Sequence, residues 1–209
     1  MISRRLYRML PLVVLVASFA ASAAGSQAGA GSSVRLTDLA GQPVDPFAGT
    51  GAKATVFLFV RADCPISNRY APEFGRLVQK FASQGVAFEL VYVDPGEPSE
   101  EIRQHMRDYG YHVAALRDNE HALVKMTGAK VTPEAAVFVP PSSGASRDSV
   151  GTERMVYRGR IDDQYVDFGK TRPAPTRHDL EDVLQAIVQG RRVSLRTTRA
   201  VGCFIQDLK

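Results

Sequence analysis

The clearest pattern along the chain is a series of apolar runs separated by turn residues. Residues 54–60 form an apolar, β-rich run that is typical of a strand buried on both faces. Residues 86–93 form a second such run, which Asp-Pro-Gly closes. The same signals predict shorter strands at 113–116, 135–139 and 155–158.

Helical spacing alternates with these strands. After the first buried run, Tyr70, Phe74, Leu77, Val78 and Phe81 share one helical stripe, and Gly85 follows as the stop.

Three further helices are predicted. One starts at Ser99, and a short one spans 119–127. The last follows Thr176 and Asp179, whose spacing resembles a capping box.

Residues 34–47 contain a turn at Gly41 and predict a short hairpin. Because buried strands alternate with helices, the pattern predicts an α/β sandwich around a mixed sheet. With 209 residues the chain has room for one domain of usual size, over residues 34–209, with a C-terminal tail.

The first residues differ from the rest. Three arginines precede an apolar run from Leu10 to Ala24 that is too short to span a bilayer comfortably. Small residues at 21–23 resemble a cleavage signal, so residues 1–23 are interpreted as a removable signal peptide. Residues 24–33, of Gly, Ala, Ser and Gln, are interpreted as a flexible linker. The predicted location is therefore outside the cytoplasm, periplasmic or extracellular, without stable membrane insertion after cleavage.

The net positive charge of the chain comes mainly from its first residues. The full chain has a formal net charge of +4, from 26 bases and 22 acids. Three of those bases and none of the acids lie in residues 1–23, so the remaining chain is close to neutral. No segment combines a long basic run with aromatic residues, which argues against a nucleic-acid partner. Two cysteines exclude a disulfide-dense scaffold and a Cys-only zinc site.

Cys64 is the candidate catalytic residue. It follows the first buried strand and precedes a helix, where unpaired N–H groups and the helix dipole stabilise a thiolate. Pro65 suits the first helical position, because its missing N–H costs nothing there. The alternative is an inert buried cysteine.

Four blocks carry a family resemblance. They are Val60-Arg-Ala-Asp-Cys-Pro-Ile-Ser-Asn-Arg-Tyr-Ala-Pro-Glu73, Val131-Thr-Pro-Glu-Ala-Ala-Val137, Tyr157-Arg-Gly-Arg-Ile-Asp-Asp163 and Gly202-Cys-Phe-Ile205. In this order they resemble the thioredoxin-like redoxins of the alkyl hydroperoxide reductase and thiol-specific antioxidant group. The resemblance implies a thioredoxin-like fold, with a central mixed β-sheet flanked by helices. It also implies that Pro133 is a cis-proline beside the active cysteine.

The chain departs from both standard motifs of these redoxins. Ser67 stands where a thioredoxin has its second cysteine, and Ala62 stands in the place of the Trp. Phe57 and Arg61 occupy the Pro and Thr/Ser positions that precede a peroxidatic cysteine. The hydroxyl that would orient a peroxide is therefore absent, which weakens the prediction of peroxide reduction, and the site has neither standard motif. The predicted chemistry of Cys64 is thiol–disulfide exchange or peroxide reduction.

Cys203 is the one other thiol in the sequence. It is predicted to be the resolving cysteine for Cys64. A purely structural disulfide and two unpaired thiols remain alternatives at this point.

The remaining candidates follow from the resemblance and from residue type. Arg61, Thr132 and Glu134 are the predicted substrate-binding residues around Cys64 and Pro133. The four histidines lack metal-ligand spacing and are predicted to lie on the surface.

No cofactor is predicted, because no Gly-rich phosphate loop is present. The predicted partners are a disulfide or peroxide substrate and a thiol protein that returns the electrons. A non-catalytic, copper-carrying or partner-binding module with a structural bridge is the alternative.

Overall fold

The computed structural model describes residues 34–48, 51–141 and 153–206. The predicted signal peptide (1–23) and linker (24–33) lie outside these residues, as does most of the loop expected at 140–152. The four helices are α1 (Pro65–Phe81), α2 (Ser99–Asp108), α3 (Ala122–Thr127) and α4 (Asp179–Val188). A 3₁₀ turn, Ala82–Gln84, follows α1.

Twelve strands lie within these ranges, several of them only two residues long. They are β1 (Leu36–Asp38), β2 (Pro43–Val44), β3 (Ala54–Val60), β4 (Val86–Tyr92), β5 (Ala114–Arg117), β6 (Val131–Thr132), β7 (Glu134–Val139), β8 (Arg154–Gly159), β9 (Tyr165–Asp167), β10 (Lys170–Thr171), β11 (Arg196–Thr197) and β12 (Cys203–Phe204).

Eight strands form one mixed sheet in the order β11-β8-β7-β3-β4-β5-β1-β2. β3 pairs parallel with β4 and antiparallel with β7. β1 and β2 form the predicted hairpin, with Gly41 in the left-handed region at the turn. β6 and β12 pair with each other outside this sheet.

β3 separates two apolar cores. All seven of its residues are buried, as the apolar run predicts. Val56, Leu58 and Val60 face a core that includes residues of α1 and α4, whereas Phe57 and Phe59 face one that includes residues of α3. Each fully buried side chain of this size contributes about 1.5–3 kcal/mol, so this alternation anchors both layers.

The helical stripe after Cys64 is confirmed. Tyr70, Phe74, Leu77 and Phe81 are all buried in the first core. The helix ends at Phe81, and Gly85 follows the 3₁₀ turn in the left-handed region that favours glycine.

The start predicted for the short third helix is wrong by three residues. The helix begins at Ala122, because the carboxylate of Asp118 accepts the backbone N–H groups of Ala122 and Val124 at 2.6 and 2.8 Å. The residues between them form the turn that leads into the helix.

The capping box predicted before α4 is also wrong. The Thr176 hydroxyl donates to Asp163 at 2.6 Å instead, while Asp179 is ion-paired with Arg160 at 2.6 Å and with Arg196. Thr176 and Asp179 therefore bind residues distant in the chain instead of capping the helix.

Among the described helices, none is long and apolar enough to cross a membrane.

A partly buried carboxyl makes the stability of the fold pH-dependent. Burial raises the pKa of Glu89 on β4 to about 7, and one of its oxygens is buried without a hydrogen-bond partner in the described part of the chain. The raised pKa means that the folded state favours the protonated acid. This contribution is therefore complete below about pH 4.5 and is lost as pH rises through about 7.

We expect the free energy of unfolding to fall between about pH 5 and 8, and the substitution Glu89→Gln to reduce the fall by on the order of 1–2 kcal/mol. Urea unfolding at both pH values measures this. Glu100→Gln, at an exposed carboxylate, is the control. An equal fall in wild type and Glu89→Gln would contradict the expectation.

Candidate functional site

Cys64 lies at the N-terminus of α1, and three residues separate it from the end of β3. It is the N-cap of the helix, with Pro65 directly behind it, and its sulfur accepts the backbone N–H of Ser67 at 3.5 Å. The Cys64 N–H donates to the Arg61 carbonyl at 3.2 Å, which closes the connecting loop. The buried strand and the helix start together place the thiol as the sequence predicts.

The loop between β6 and β7 covers the thiol from a second side. The peptide bond between Thr132 and Pro133 is cis, as the resemblance implies. The Cys64 thiol donates to the Thr132 carbonyl oxygen at 3.0 Å, and Cys64 is 0% exposed. Cys64, Thr132 and Pro133 therefore come together at one place.

Cys203 reaches the same place through strand pairing. β12 lies antiparallel to β6 with Cys203 opposite Thr132, the residue whose carbonyl contacts Cys64. Both cysteines are free thiols in this structure, and Cys203 is the more exposed of the two. A separation of 139 residues in the chain thus becomes a direct interaction between two thiols.

The two thiols titrate in opposite directions. Burial by itself raises the pKa of the Cys64 thiol. The Cys203 thiol, the hydroxyls of Ser67 and Thr132 and the Ser67 N–H are available as donors to the sulfur and lower this pKa by more, so it lies below the ordinary value. Burial and the hydrogen bond and charge of Cys64 raise the pKa of Cys203 to about 12. Cys64 is therefore the thiol of the pair that ionises more readily, and Cys203 is the one that retains its proton.

Two hydroxyls beside Cys64 have no hydrogen-bond partner in the described residues. They are Ser67 Oγ and Thr132 Oγ1, and both are buried. Both protons are free to turn toward the sulfur, which is how they lower the pKa of Cys64.

Arg61 is near the site but is already ion-paired. Its guanidinium binds Asp63 at 2.8 Å and Asp94 at 3.3 Å. Its charge lowers the pKa of Cys203 slightly, while Asp63 raises it. Arg61 thus contributes charge near Cys203 and holds the loop that precedes Cys64.

Glu134 points to the other side of the β6–β7 loop. Its carboxylate accepts the Lys130 N–H at 2.8 Å and lies 3.7 Å from the Arg158 guanidinium. It lines a cavity of about 370 Å³ together with Gly202 and Phe204. No contact of Glu134 with Cys64 is present, so its contribution here is to hold the loop that carries Pro133.

The sequence predictions missed a further set of residues around the loop before Cys64. Glu97 accepts the Ala62 N–H at 2.7 Å, and Asn68 donates to the Ala62 carbonyl at 2.9 Å. Burial is the main reason that the pKa of Glu97 rises to about 7. Glu97 is 35 residues away from Ala62 in the chain, so no local pattern identifies it.

The surface position predicted for all histidines is wrong for two of them. His105 and His121 are buried, and each nitrogen that contacts a neighbour has a polar partner at 2.7 Å. His105 lies on α2 beside the buried Ile102, and His121 directly precedes α3, whose Leu123 and Val124 are buried.

A metal site with the two thiols finds no support in the described residues. The one group of His, Cys and carboxylate ligands within mutual reach there is Glu73, His178 and Glu181. Arg76 and Lys80 already bind its carboxylates.

Comparisons with known proteins extend this picture. The profile of the AhpC/TSA family matches residues 19–145. An uncharacterized conserved protein from Geobacillus kaustophilus superposes with a TM-score of 0.67 at 24% identity, over 83% of this chain and 88% of that one. A hypothetical protein from Sinorhizobium meliloti 1021 gives 0.62 at 21% identity, over 82% and 89%.

A third structure carries a more informative description. The thioredoxin domain of a thiol-disulfide oxidoreductase from Bacteroides vulgatus gives a TM-score of 0.50 at 13% identity, over 74% of this chain and 92% of that one. At these identities the likeness concerns the fold alone. No match is found among curated proteins.

Proposed function

The chain belongs to the AhpC/TSA family of thiol-dependent oxidoreductases and has the thioredoxin-like fold, and on this premise we propose that it is an exported thiol–disulfide oxidoreductase. Cys64 and Cys203 are its redox pair, and they cycle between dithiol and disulfide. The observation that carries this proposal is the pairing of β12 with β6, which brings Cys203 opposite Thr132, the residue whose carbonyl accepts from the Cys64 thiol.

In the first step the Cys64 thiolate attacks one sulfur of a substrate disulfide. A new S–S bond forms between Cys64 and that sulfur, and the second substrate sulfur leaves as a thiolate. The donors around Cys64 keep part of it ionised at neutral pH, because its pKa lies below the ordinary thiol value.

In the second step Cys203 resolves the mixed disulfide. Once Cys64 is bound to substrate it carries no charge, so two of the causes that raise the pKa of Cys203 disappear. Cys203 then loses its proton more readily and attacks the Cys64 sulfur. The substrate leaves with its second thiolate, both cysteines are oxidised, and the substrate disulfide is reduced. A partner thiol protein reduces the Cys64–Cys203 disulfide in turn.

Access to Cys64 depends on the C-terminal segment. Cys64 is completely buried, and β12 covers it. The cover is short: β12 has two residues, and the Ile205 N–H donates to the Lys130 carbonyl at 2.9 Å. A protein disulfide reaches Cys64 only when this segment lifts away from β6.

The proposal includes export. Residues 1–23 have the charge and apolar pattern of a signal peptide, and residues 34–209 form the redox domain. A periplasmic or extracellular location supplies disulfide substrates. The cycle uses no bound cofactor, because the electrons move between sulfur atoms.

Peroxide reduction is the second candidate, and the two free hydroxyls favour it. Ser67 and Thr132 can donate to a peroxide oxygen beside Cys64, which replaces the hydroxyl missing at Arg61. The thiolate would attack that oxygen and release alcohol or water on protonation. The resulting sulfenic acid would condense with Cys203 to the same disulfide and a second water.

The test is to expose the reduced full chain to oxidised glutathione and to map the sulfurs by mass spectrometry after alkylation. We expect a Cys64–Cys203 disulfide in wild type and a glutathione adduct on Cys64 in Cys203→Ser. We expect Cys64→Ser to remain largely unmodified at neutral pH, because burial, the largest cause of the raised pKa of Cys203, persists in this variant.

Two outcomes would overturn the proposal. The first is an unmodified Cys64 in Cys203→Ser. The second is a bridge that is present in every preparation and resists mild reductant, since it would indicate the structural disulfide. In parallel, hydrogen peroxide with dimedone distinguishes the peroxide candidate, which requires a sulfenic acid on Cys64.

A further inference from the structure

The backbone of Ala62 is held by side chains at both its N–H and its carbonyl. Glu97, from the connection between β4 and α2, accepts its N–H at 2.7 Å. Asn68, one turn into α1, donates to its carbonyl at 2.9 Å. Ala62 lies two residues before Cys64, so this grip acts on the loop that aims the thiol.

Asn68 is held in turn by a chain of side chains that reaches the central sheet. Asn68 Oδ1 lies 2.7 Å from His105 Nε2 on α2, and His105 Nδ1 lies 2.7 Å from the Tyr92 hydroxyl on β4. Three separate elements thus meet at the loop before the nucleophile.

The direction of each hydrogen bond in this series of side chains follows from the Ala62 carbonyl at one end. The Ala62 carbonyl accepts only, so the Asn68 amide must present its NH₂ to it and its oxygen to His105. His105 must then donate from Nε2 and accept at Nδ1 from Tyr92. Each donor meets an acceptor only if His105 is the neutral Nε2–H tautomer.

The surroundings of His105 keep it in that form. It is 5% exposed and lies among the rings of Tyr92, Tyr109 and Tyr111, with centroids 4.8–5.7 Å away. Burial lowers its pKa, and the charge of Asp108 opposes this only in part.

We propose that Asn68, His105 and Tyr92 are positioning residues, which fix the Ala62 peptide and thereby hold the Cys64 sulfur against Thr132, Ser67 and Cys203. This inference rests on the proposed function of Cys64 as the nucleophile. It assigns a role in the reaction to a histidine that contacts neither cysteine in any hydrogen bond described above.

The expected effect of losing these residues follows from the opposing effects of burial and hydrogen bonding on the pKa of Cys64. Burial raises its pKa regardless of the orientation of the loop, whereas the hydrogen bonds that lower the pKa require the sulfur to be aimed at its donors. If the hydrogen bonds to Ala62 are lost, the hydrogen bonds that lower the pKa of Cys64 weaken, whereas the effect of burial remains. The pKa of Cys64 therefore rises and its reactivity at neutral pH falls.

The experiment measures the Cys64 pKa by the ultraviolet absorbance of the thiolate, and its alkylation rate at neutral pH, in a Cys203→Ala background. We expect Asn68→Ala and His105→Leu to raise the pKa and to slow alkylation about tenfold, in proportion to the lost thiolate. His105→Gln keeps a donor for Asn68 and an acceptor for Tyr92, and should restore most of the wild-type behaviour.

Thr127→Val is the matched control for stability. The Thr127 hydroxyl is buried in α3 and donates to the Leu123 carbonyl at 2.8 Å, remote from the thiols in sequence and with no described contact to them. Its loss should lower the urea midpoint and leave the thiol pKa unchanged. If Asn68→Ala and His105→Leu behave like this control, the proposal is wrong. Because the readout needs no turnover or disulfide, it is independent of whether the proposed redox cycle operates.

Discussion

Replacing Cys64 by serine is expected to abolish reduction of a disulfide substrate, with a loss of roughly a thousandfold or more. A serine hydroxyl does not ionise near neutral pH, and burial still raises the pKa of the remaining Cys203 thiol. Little thiolate is then available for attack. The measurement is the rate at which the reduced protein converts oxidised glutathione to glutathione.

Ser67→Ala is the matched control for this substitution. It removes the hydroxyl beside the sulfur but keeps the Ser67 backbone N–H that donates to Cys64. We expect a rise in the pKa of Cys64 and a rate loss of about tenfold or less, since one of four donors is removed. Equal rates in wild type and Cys64→Ser would show that Cys64 is not the nucleophile.

Gly202→Ala is expected to separate the two cysteines without removing either thiol. A Cβ at Gly202 would lie 2.6 Å from the carbonyl carbon of Thr132, and closer still to its oxygen. Both are backbone atoms, so no side chain can move aside and β12 must shift away from β6. Cys203 moves with β12 because it is the next residue.

We expect formation of the Cys64–Cys203 disulfide to slow about tenfold to a hundredfold, and the pKa of Cys64 to rise as it loses the Cys203 donor. Stopped alkylation at timed intervals after addition of oxidised glutathione measures the rate. The glutathione adduct on Cys64 should accumulate, because the first step does not need Cys203.

Gly75→Ala is the control for Gly202→Ala. Gly75 lies in α1, the helix that Cys64 caps, and a Cβ there meets nothing within 4 Å. Alanine has the higher helix propensity, so the variant should be more stable by up to about 1 kcal/mol with an unchanged disulfide rate. A wild-type rate in Gly202→Ala would contradict the proposed approach of β12 to Thr132.

The fold was largely predictable because its elements depend on local pattern. The run at 54–60 identified the central strand, and the stripe from Tyr70 to Phe81 identified the helix behind Cys64. The errors occurred where a polar side chain has a choice of partner. Thr176 was expected to cap α4 and binds Asp163 instead, because the tertiary structure offers it a carboxylate 13 residues away.

The residues of the candidate site also fall into those that the sequence predicts and those that only the structure identifies. Cys64 follows from its place between a buried strand and a helix, and Pro133 from the resemblance of its block. Gly202 belongs to one of the four blocks that carry the resemblance. The reason why this position requires glycine is the close approach of the Thr132 backbone, which follows only from the pairing of β12 with β6. Glu97 and His105 carried no signal, because each acts on a residue more than 30 positions away.

By itself, then, the sequence determined which residue is proposed as the nucleophile, since a strand end and a helix start are set by neighbours along the chain. Only the tertiary structure decided which other groups lie beside that residue and affect its reactivity. Cys203 and the polar chain behind Ala62 meet Cys64 through strand pairing and burial between distant segments. Those contacts depend on how whole elements pack, and the spacing of residues does not encode that packing locally.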